Sequence, residues 1–358
     1  MFTVVGIRGH RRVRLFRDAA LAAGLPEPAV VDWREVIAGE FAIDRSTLVR
    51  LESPGEDAET DRLLRGAPTL AEHGEIVGLR AWHRGLVAAA RRVEACGAPL
   101  LTPVDDLAVL FDKRRCHARL TAHGVAVPEA FTPQRTTESY EQVRAHGWPR
   151  VFVKPAHGSS ASGVVALAFN GHRVSAYTSA VLDHDRLYNV LRVQHYTDER
   201  LVAAIVDRLG ADGLHVERWF PKAAHDGRVF DLRVVVIAGR AAHVVVRTGR
   251  SPMTNLHLGN ARGDLAAVRA AAGEQHWAAA MRTCERAAAC FPGSLHVGVD
   301  LMFAPGYARH AVAEVNAFGD LLPGVLVDGR DTYAAEIAAL TRHGPGTAPL
   351  DRLIGAAA

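Results

Sequence analysis

The stretch 298–320, GVDLMFAPGYARHAVAEVNAFGD, is the most informative part of this chain. Two apolar runs joined by the turn-prone APGYAR predict a β-hairpin. Glu314 and Asn316 are two residues apart on its second strand, so both side chains leave the same face, and Asp300 lies on the first strand. Three oxygen donors on one hairpin suit Mg²⁺, which takes few protein oxygens and keeps its other positions for water or phosphate. The alternative is a hairpin with solvated polar residues.

A second motif lies upstream, at residues 151–163, VFVKPAHGSSASG. A β-rich run reaches Lys154, and a loop of glycines and serines then opens into another strand. Small residues let backbone N–H groups approach phosphate oxygens closely. No helix follows, so the pattern differs from a Walker A loop and from a dinucleotide-binding fingerprint. It predicts a strand–loop–strand flap that can close over a nucleotide, with an ordinary turn as the alternative.

Arginines in another predicted hairpin, residues 229–248, indicate a similar ligand. Asp231 and Arg233 share one face of its first strand. A three-residue turn at 239–241 would place Arg247 opposite Arg233. Two guanidiniums on one face of a sheet favour a ligand with several oxygens. A cross-strand ladder of salt bridges is the alternative.

Composition and charge narrow the class of protein. The chain has 358 residues, 49% hydrophobic and 23% charged, which is typical of a soluble globular protein with two or three domains. A net charge of +3 from dispersed residues argues against nucleic acid as a partner. We expect neither a membrane span nor a secretory signal. Four cysteines without CxxC spacing predict free thiols in a reducing compartment, so we expect a cytoplasmic protein.

Residues 1 to about 105 alternate between strand and helix patterns, which predicts a small Rossmann-like α/β layer. Helical segments are expected from about Pro68 to Cys96 and again over 105–124. The basic loop Arg8–Arg12 follows the first strand, where open α/β sheets bind ligands. We interpret this loop either as a site for an anionic group or as a solvated helix start.

Taken in order along the chain, the polar motifs resemble the ATP-grasp superfamily. Within it, they are most similar to the branch with the ribosomal-protein glutamate ligases and the glutathione synthetases. The resemblance covers about residues 106–340 and also the order of the preceding α/β domain. It rests on Asp112-Lys113, Lys154-Pro155 with the loop 157–163, Glu217-Arg218-Trp219, Asp231-x-Arg233, Arg247, Asn255-Leu256-His257, Asp300 and Glu314-x-Asn316.

The resemblance implies a chain of the α/β (α+β) class with the ATP-grasp fold. An N-terminal Rossmann-like domain, residues 1–105, would precede a central subdomain with a glycine-rich lid, residues 106–215. A C-terminal subdomain with the Mg²⁺ site, residues 216–345, would follow. The two subdomains would clasp ATP between them, and residues 346–358 would form a tail.

The family also implies roles for individual residues. Residues 217–219 would form the hinge that binds adenine, and one or two Mg²⁺ ions, with Mn²⁺ as a substitute, would accompany the phosphates of ATP. The nucleotide-binding set would be Lys113, Lys154, His157, Gly158, Ser159, Ser160, Ser162, Gly163, Glu217, Arg218, Trp219 and Asp231. The metal ligands would be Asp300, Glu314 and Asn316. The residues facing the γ-phosphate and the acyl intermediate would be Arg233, Arg247 and Asn255.

These roles imply an ADP-forming carboxylate–amine ligase. ATP would convert a carboxylate to an acyl phosphate, and an amine or similar nucleophile would then displace phosphate. The substrates would be small molecules or peptides, without nucleic acid or membrane, and a homodimer is compatible with the resemblance. Two alternatives stay open: an ATP-dependent kinase on the same fold, and a non-catalytic regulatory protein that binds ATP.

Three features depart from the pattern of this branch. Met253 stands where an arginine is usual, and Leu258-Gly259-Asn260 stands where Arg-Gly-Gly is expected. The segment 171–198 is longer than in the simplest members. These changes lie on the side expected to bind the acceptor, so they bear on substrate identity more than on ATP binding.

Overall fold

Three β-sheets organise the computed structural model, which describes residues 1–131, 137–158 and 161–342. Ser159 and Ser160 of the predicted flap lie outside the described residues, as does the predicted tail 346–358. The N-terminal sheet has three strands, the central sheet five and the C-terminal sheet six. Helices pack against all three sheets, which confirms the mixed α and β fold class.

The N-terminal region is an α/β layer, as the alternating pattern predicts. Its elements are β1 (Phe2–Gly6), α1 (Arg11–Ala22), β2 (Ala29–Asp32), α2 (Trp33–Ala38), β3 (Leu48–Leu51), α3 (Ala58–Arg65) and α4 (Leu79–Glu94). The sheet is parallel, with strand order β2-β1-β3. Helix α4 buries Leu86, Ala89, Ala90 and Val93 against it, at the spacing of a helix with one apolar face.

The central sheet is antiparallel, with strand order β7-β6-β5-β4-β8. The elements of this region are α5 (Val104–Leu110), α6 (Lys113–Ala122), α7 (Tyr140–Ala145), β4 (Arg150–Pro155), β5 (Val165–Asn170), β6 (Arg173–Asp183), β7 (Arg186–Tyr196), α8 (Glu199–Gly210) and β8 (Leu214–Arg218). Strands β4 and β5 are joined by the predicted loop, here called the flap (residues 156–164). The unexplained segment 171–198 is the long hairpin β6–β7.

The helix expected over 105–124 is instead two helices, because the chain turns at Phe111 and Asp112. Asp112 is the N-cap of α6, and its carboxylate accepts hydrogen bonds from the backbone N–H groups of Arg114 and Arg115. A cap interrupts the backbone hydrogen bonds of a helix without interrupting the spacing of its apolar residues. The amphipathic pattern therefore does not show the break.

The helix expected from Pro68 begins only at Leu79. Residues 72–76 instead form backbone hydrogen bonds with the edge strand β7. For example, the Ile76 N–H group donates to the Leu187 carbonyl at 2.7 Å. A segment that precedes α4 thus extends the central sheet, and this partner lies more than a hundred residues away in the sequence.

The C-terminal sheet has strand order β12-β11-β10-β13-β14, and β9 pairs with β10. Its elements are β9 (Ala224–His225), β10 (Arg228–Ile237), β11 (Arg240–Gly249), β12 (Ala261–Arg262), α9 (Leu265–Ala289), β13 (His296–Phe303), β14 (His310–Asn316) and α10 (Thr332–Arg342). The hairpin predicted over 298–320 is confirmed as β13–β14, with Asp300 directly opposite Glu314. Helix α9 buries Trp277 and Cys284 against the sheet.

The register predicted for the hairpin β10–β11 is wrong. Arg247 lies opposite Asp231, two residues before Arg233. The strands are joined by a shorter turn than expected, and a bulge between Val235 and Val236 shifts the pairing. Both guanidiniums still face the same side of the sheet. Residues 231 and 233 are two apart on β10 and share one face, and Arg247 is on that face because it is paired with Asp231.

In the part of the chain that the structure describes, no helix combines the length and the apolar character needed to cross a bilayer. The four cysteines are free thiols, as their spacing predicts. They are Cys96, Cys116, Cys284 and Cys290, and the last three are buried.

Candidate functional site

A cleft of about 670 Å³, which includes space open to solvent, lies between the central and C-terminal sheets. Its wall is built from β4, the flap, the segment after β8 and the hairpin β13–β14, with further residues from α6 and from the loop after β11. Nine residues predicted from the sequence line it: Lys113, Lys154, Ser162, Glu217, Asp231, Arg247, Asn255, Asp300 and Glu314. Residues far apart in the sequence therefore meet in one cavity.

Two lysines enter the cleft from different elements. Lys113 is the first residue of α6, and its ammonium donates to the Gly158 carbonyl oxygen at 2.7 Å. The same ammonium lies 3.1 Å from a carboxylate oxygen of Glu314. Lys154, on β4, lies 2.5 Å from a carboxylate oxygen of Glu217 on β8. Both cations are thus held in place by carboxylates and positioned for an anionic ligand.

Charged side chains form the cleft cluster, which we define as Lys222, Asp231, Arg233, Arg247 and Asp300. Four of them lie on the C-terminal sheet and Lys222 lies on the loop after β8, and only the two aspartates and Arg247 are buried. Arg247 bridges the two aspartates, with its Nε atom 2.7 Å from Asp231 and its Nη2 atom 3.2 Å from Asp300. Arg233 contacts both carboxylate oxygens of Asp300, at 2.5 and 3.2 Å. The ammonium of Lys222 lies 2.9 Å from Asp231. The structure thus shows the network of salt bridges given above as the alternative, and binding of ligand oxygens by the same face stays a prediction.

The carboxylates of the cleft stay ionised although they are buried. Burial by itself raises the pKa of Glu217, but Lys154 and His215 lower that pKa to about 2. Burial likewise opposes ionisation of Asp231 and Asp300, yet the neighbouring guanidiniums hold both pKa values below the usual range. Glu217, Asp231 and Asp300 are therefore ionised partners of the lysines and arginines of the cleft at neutral pH.

Solved structures with a similar fold align with nearly the whole chain. The D-cycloserine synthetase DcsG has 18% sequence identity and a TM-score of 0.58, over 95% of this chain and 99% of that chain. The macrocyclase MdnC, solved with precursor peptide MdnA from Microcystis aeruginosa MRC, has 12% identity and a TM-score of 0.55, over 95% and 100%. The ATP-grasp ligase PsnB, solved with precursor peptide PsnA2 and AMPPNP, has 18% identity and a TM-score of 0.51, over 96% and 98%.

The chain has the ATP-grasp fold. At these sequence identities the likeness establishes the ATP-grasp fold and not the reaction. No protein-family model matches the chain, and no curated protein matches its sequence.

The ATP-grasp hairpin β13–β14 presents oxygen donors on one face. Asp300 and Glu314 lie opposite each other in the wall of the cleft. Asn316 lies two residues further along β14, opposite Gly298. The side-chain amide of Asn316 donates to the Gly298 carbonyl at 3.4 Å, so its oxygen stays an acceptor. Two carboxylates and one amide oxygen are hard ligands, and this donor set fits Mg²⁺ or Mn²⁺.

The predicted adenine hinge, residues 217–219, divides between the cleft and the surface. Arg218 is exposed, and its guanidinium lies 3.0 Å from Glu129 on the surface. Trp219 packs against Phe152 with ring centroids 5.1 Å apart, and the Phe152 side chain lines the cleft. Glu217 thus contributes its side chain to the wall, whereas Trp219 supports an apolar part of it.

The described parts of the flap are anchored at both ends. The His157 ring stacks on His83 with centroids 4.3 Å apart, and burial together with His83 lowers the pKa of His157 to about 4. Gly158 and Gly163 have φ angles of +132° and +70°, which glycine adopts without strain. A Cβ atom at Gly163 would lie 2.7 Å from the Leu209 side chain. Both glycines are therefore required by the backbone path of the flap.

Sequence reasoning missed part of the wall. Lys222 lies on the loop after β8, and its ammonium also bonds to the hydroxyl of the buried Thr254 at 2.8 Å. The only signal for Lys222 is its place just after a strand that carries other site residues, because a loop has no periodicity. Sequence reasoning also missed the apolar residues of the wall, because an apolar residue in a sequence pattern looks like part of the core. These residues are Phe152, Phe220 and Met302.

All three departures from the expected family pattern meet in the structure. Met253, where that pattern predicts an arginine, is buried and lines the cleft. It packs in one apolar cluster with Leu258, with Val164 of the flap and with Val193 of the long hairpin β6–β7. The added length of the hairpin and the missing arginine thus belong to one apolar wall.

Proposed function

We propose that this protein is an ATP- and Mg²⁺-dependent, ADP-forming ligase that joins a carboxylate to an amine or similar nucleophile through an acyl phosphate. The observation that carries the proposal is the cleft, where Lys113 and Lys154 lie beside the carboxylates Asp300 and Glu314. A triphosphate with its divalent cation needs both kinds of charge in one place. Similar solved structures carry the names of ligases and a synthetase, which supports the same class of reaction here.

The two lysines would bind the phosphate chain. Each ammonium has three donors, so Lys113 can keep its bond to Glu314 and Lys154 its bond to Glu217 while donating to phosphate oxygens. The Gly158 carbonyl already accepts from Lys113, which ties the flap to the same cation. Nucleotide binding would therefore order the flap over the phosphates.

The arginines of the cleft cluster would act on the reacting group. A substrate carboxylate oxygen would attack the γ-phosphorus, the bond to the β,γ-bridging oxygen would break, and ADP would leave. The amine would then attack the acyl carbon and lose a proton to solvent, and phosphate would leave with the electrons of the carbon–oxygen bond. Arg233 and Arg247, with Asn255 nearby, would stabilise the oxygens of the transferring phosphoryl group. The protein supplies position and charge and needs no covalent nucleophile of its own.

The metal would sit against the hairpin β13–β14. Bound Mg²⁺ would neutralise and orient phosphate oxygens. Asp300, Glu314 and Asn316 would hold it, and Arg233 and Arg247 keep the Asp300 carboxylate oriented within the cleft. The substrates proposed are small molecules or peptides. We also keep as proposals the division of the chain near residues 105 and 215, a homodimer and a cytoplasmic location.

The test is ATP-dependent release of ADP from the wild type and from Glu314→Ala, with candidate acids and amines. The variant should lose turnover by a factor of about 10²–10³ or more, because it removes a charged group from the phosphoryl-transfer site. Circular dichroism and thermal unfolding should stay close to wild type. Glu274→Ala is the matched control, since Glu274 is paired with Arg269 on the exposed side of α9 and should leave turnover unchanged.

The products separate the alternatives. A bond formed between acid and amine, with one ADP for each bond, supports the ligase. A stable phosphorylated product without a coupled bond would replace it by a kinase, and nucleotide binding without ADP release would replace it by a regulatory protein. Undiminished turnover in Glu314→Ala would refute the assignment of Glu314 to the metal.

A further inference from the structure

A turn of four residues, 317–320, follows directly after Asn316, and its carbonyl groups are held from three sides. Three consecutive carbonyl oxygens each accept a hydrogen bond from a different part of the chain: α1, β10 and α10. The pairs are Arg12 Nη2 to Phe318 O at 2.9 Å, Arg233 Nη1 to Gly319 O at 3.3 Å, and Thr332 Oγ1 to Asp320 O at 2.6 Å. The end of β14 is thus fixed by elements outside the hairpin.

The turn also lies in close contact with the first strand of the hairpin. A Cβ atom built on Gly298 would lie 2.5 Å from the Gly319 Cα atom, so the two backbones touch. Gly298 is the residue that pairs with Asn316 across the hairpin. Any shift of the turn would therefore move the strand positions that carry the metal ligands.

Beneath the turn lies the sealed cluster, which we define as Arg12, Arg50, Glu52, Asp320 and Glu336. The Arg50 guanidinium donates to all three carboxylates, with its Nε atom 2.7 Å from Glu52. Arg12 donates to Asp320 at 2.9 Å. Asp320 and Glu336 have no exposed surface, whereas the Arg12 side chain is 14% exposed. Arg12 is therefore the member of the cluster that can be changed with the least disturbance of the core.

The sealed cluster is better explained as a structural charge network than as a metal site. His296, Asp320 and Glu336 lie close enough together to share an ion, but the Arg50 guanidinium already bonds to both carboxylates. Burial raises the pKa of Glu336 to about 8, so this group is protonated at neutral pH. Asp320 and Glu336 have no exposed surface, so neither carboxylate is open to an incoming ion.

We propose that Arg12 is a positioning residue for the metal ligands. Its guanidinium donates hydrogen bonds to both the Phe318 carbonyl and the Asp320 carboxylate. These bonds hold the turn 317–320 against the N-terminal layer, and they thereby hold Asn316 as well. The basic loop 8–12 would thereby serve the site through the backbone of the turn, and not as a binding site for an anionic group. This inference rests on the proposed function, since it assumes the metal site on β13–β14.

The experiment measures Mn²⁺ binding by the intact protein in the presence of AMPPNP, from the electron paramagnetic resonance signal of free Mn²⁺. The Mn²⁺ dissociation constant of Arg12→Gln should rise about 10-fold, the low end of the range for residues that support metal ligands. Arg12→Lys keeps a cation but lacks the forked guanidinium that reaches both acceptors at once, so its dissociation constant should rise less, by about 3-fold. Arg17→Gln is the matched control on the same helix, because Arg17 pairs with Asp18 and Glu27 on the surface, and it should match wild type.

Urea unfolding of the same variants separates positioning from stability alone. A merely structural role would lower the unfolding midpoint of Arg12→Gln and leave the Mn²⁺ affinity of the folded protein unchanged, which would overturn the inference. If Arg12→Gln does not fold, Arg12→Lys carries the test, and an affinity equal to wild type together with a lowered midpoint would overturn it too. Failure of the wild type to bind Mn²⁺ and AMPPNP would instead overturn the proposed function and this inference together.

Discussion

The cleft cluster and the sealed cluster are built from nearly the same side chains and have opposite surroundings. Each combines two arginines with two or three carboxylates, and in each an arginine bridges two acids. The cleft cluster borders a cavity of about 670 Å³. In the sealed cluster, Arg50 is covered by the rings of Phe16 and Tyr333, with its guanidinium carbon 4.7 and 5.1 Å from their centroids.

The difference shows that access decides what a buried ion pair can do. In the cleft, the oxygens of a ligand would be able to reach a guanidinium and to join or replace its carboxylate partners, so the arginine would stay able to bind a ligand. In the sealed cluster no ligand can enter, and the same pairs only hold the N-terminal layer to the turn after β14. A buried charge pair is by itself weak support for either stability or function.

The largest expected effect is on turnover and belongs to the cleft cluster. Asp300→Asn removes one charge from the proposed metal site but keeps the shape and a hydrogen-bond acceptor for Arg233. ADP release should fall by a factor of about 10²–10³. The thermal midpoint should fall as well, because Arg233 and Arg247 lose a charged partner, while the protein stays folded. A variant that unfolds instead of losing turnover would show that the cleft cluster is as structural as the sealed one.

The next effect is on stability and belongs to the sealed cluster. Arg50→Met leaves Glu52, Asp320 and Glu336 without their shared cation, and the free energy of unfolding should fall by about 3–5 kcal/mol. Urea unfolding measures this change. Arg269→Met removes an arginine from the exposed pair with Glu274, and should leave the free energy of unfolding close to that of wild type. Equal losses in the two variants would contradict the difference drawn between buried and exposed pairs.

A third effect is a loss of stability between about pH 4.5 and pH 8, which the cleft cluster should lack because the pKa values of Glu217, Asp231 and Asp300 are lowered. Burial raises the pKa of Glu336 to about 8, from 4.5 in the unfolded chain, and the groups facing it are Arg50, His296, Asp320 and Glu52. The folded protein keeps a proton that the unfolded chain releases, so this contribution is complete below pH 4.5 and is lost as the pH rises to about 8.

Glu336→Gln cannot titrate and should remove that loss. The difference between its thermal midpoint and that of wild type should increase in favour of the variant from pH 5 to pH 9, when the two proteins are measured in parallel. Midpoint curves that stay parallel over this range would show that Glu336 is already ionised in the folded protein at low pH.

The two clusters also differ in how far the sequence could predict them. Asp231, Arg233, Asp300 and Glu314 lie on strands at a spacing of two or at paired positions of a hairpin, so local patterns could place them on one face. The exact register was not predictable, because the bulge at Val235–Val236 leaves no mark on the alternation of apolar residues. The sealed cluster joins residues 12, 50, 52, 320 and 336, and no local spacing relates them.

The helix predictions failed for the same reason. The apolar spacing over 105–124 continues across the cap at Asp112. Residues 72–76 lie beside β7, a strand more than a hundred residues later in the chain, and their backbone is hydrogen-bonded to it. Lys222 lies on a loop, where no period marks a functional side chain. In each case the deciding partner is a backbone group or side chain distant in sequence.

The sequence alone determined the hairpins β10–β11 and β13–β14 and the strands on either side of the flap, because these depend on the spacing of neighbouring side chains along a regular backbone. Only the tertiary structure decided which charges face a cavity and which are sealed. Burial and access depend on the packing of layers whose residues are far apart in the chain: Arg50 and Arg247 both lie on strands, yet one is sealed and the other borders the cleft.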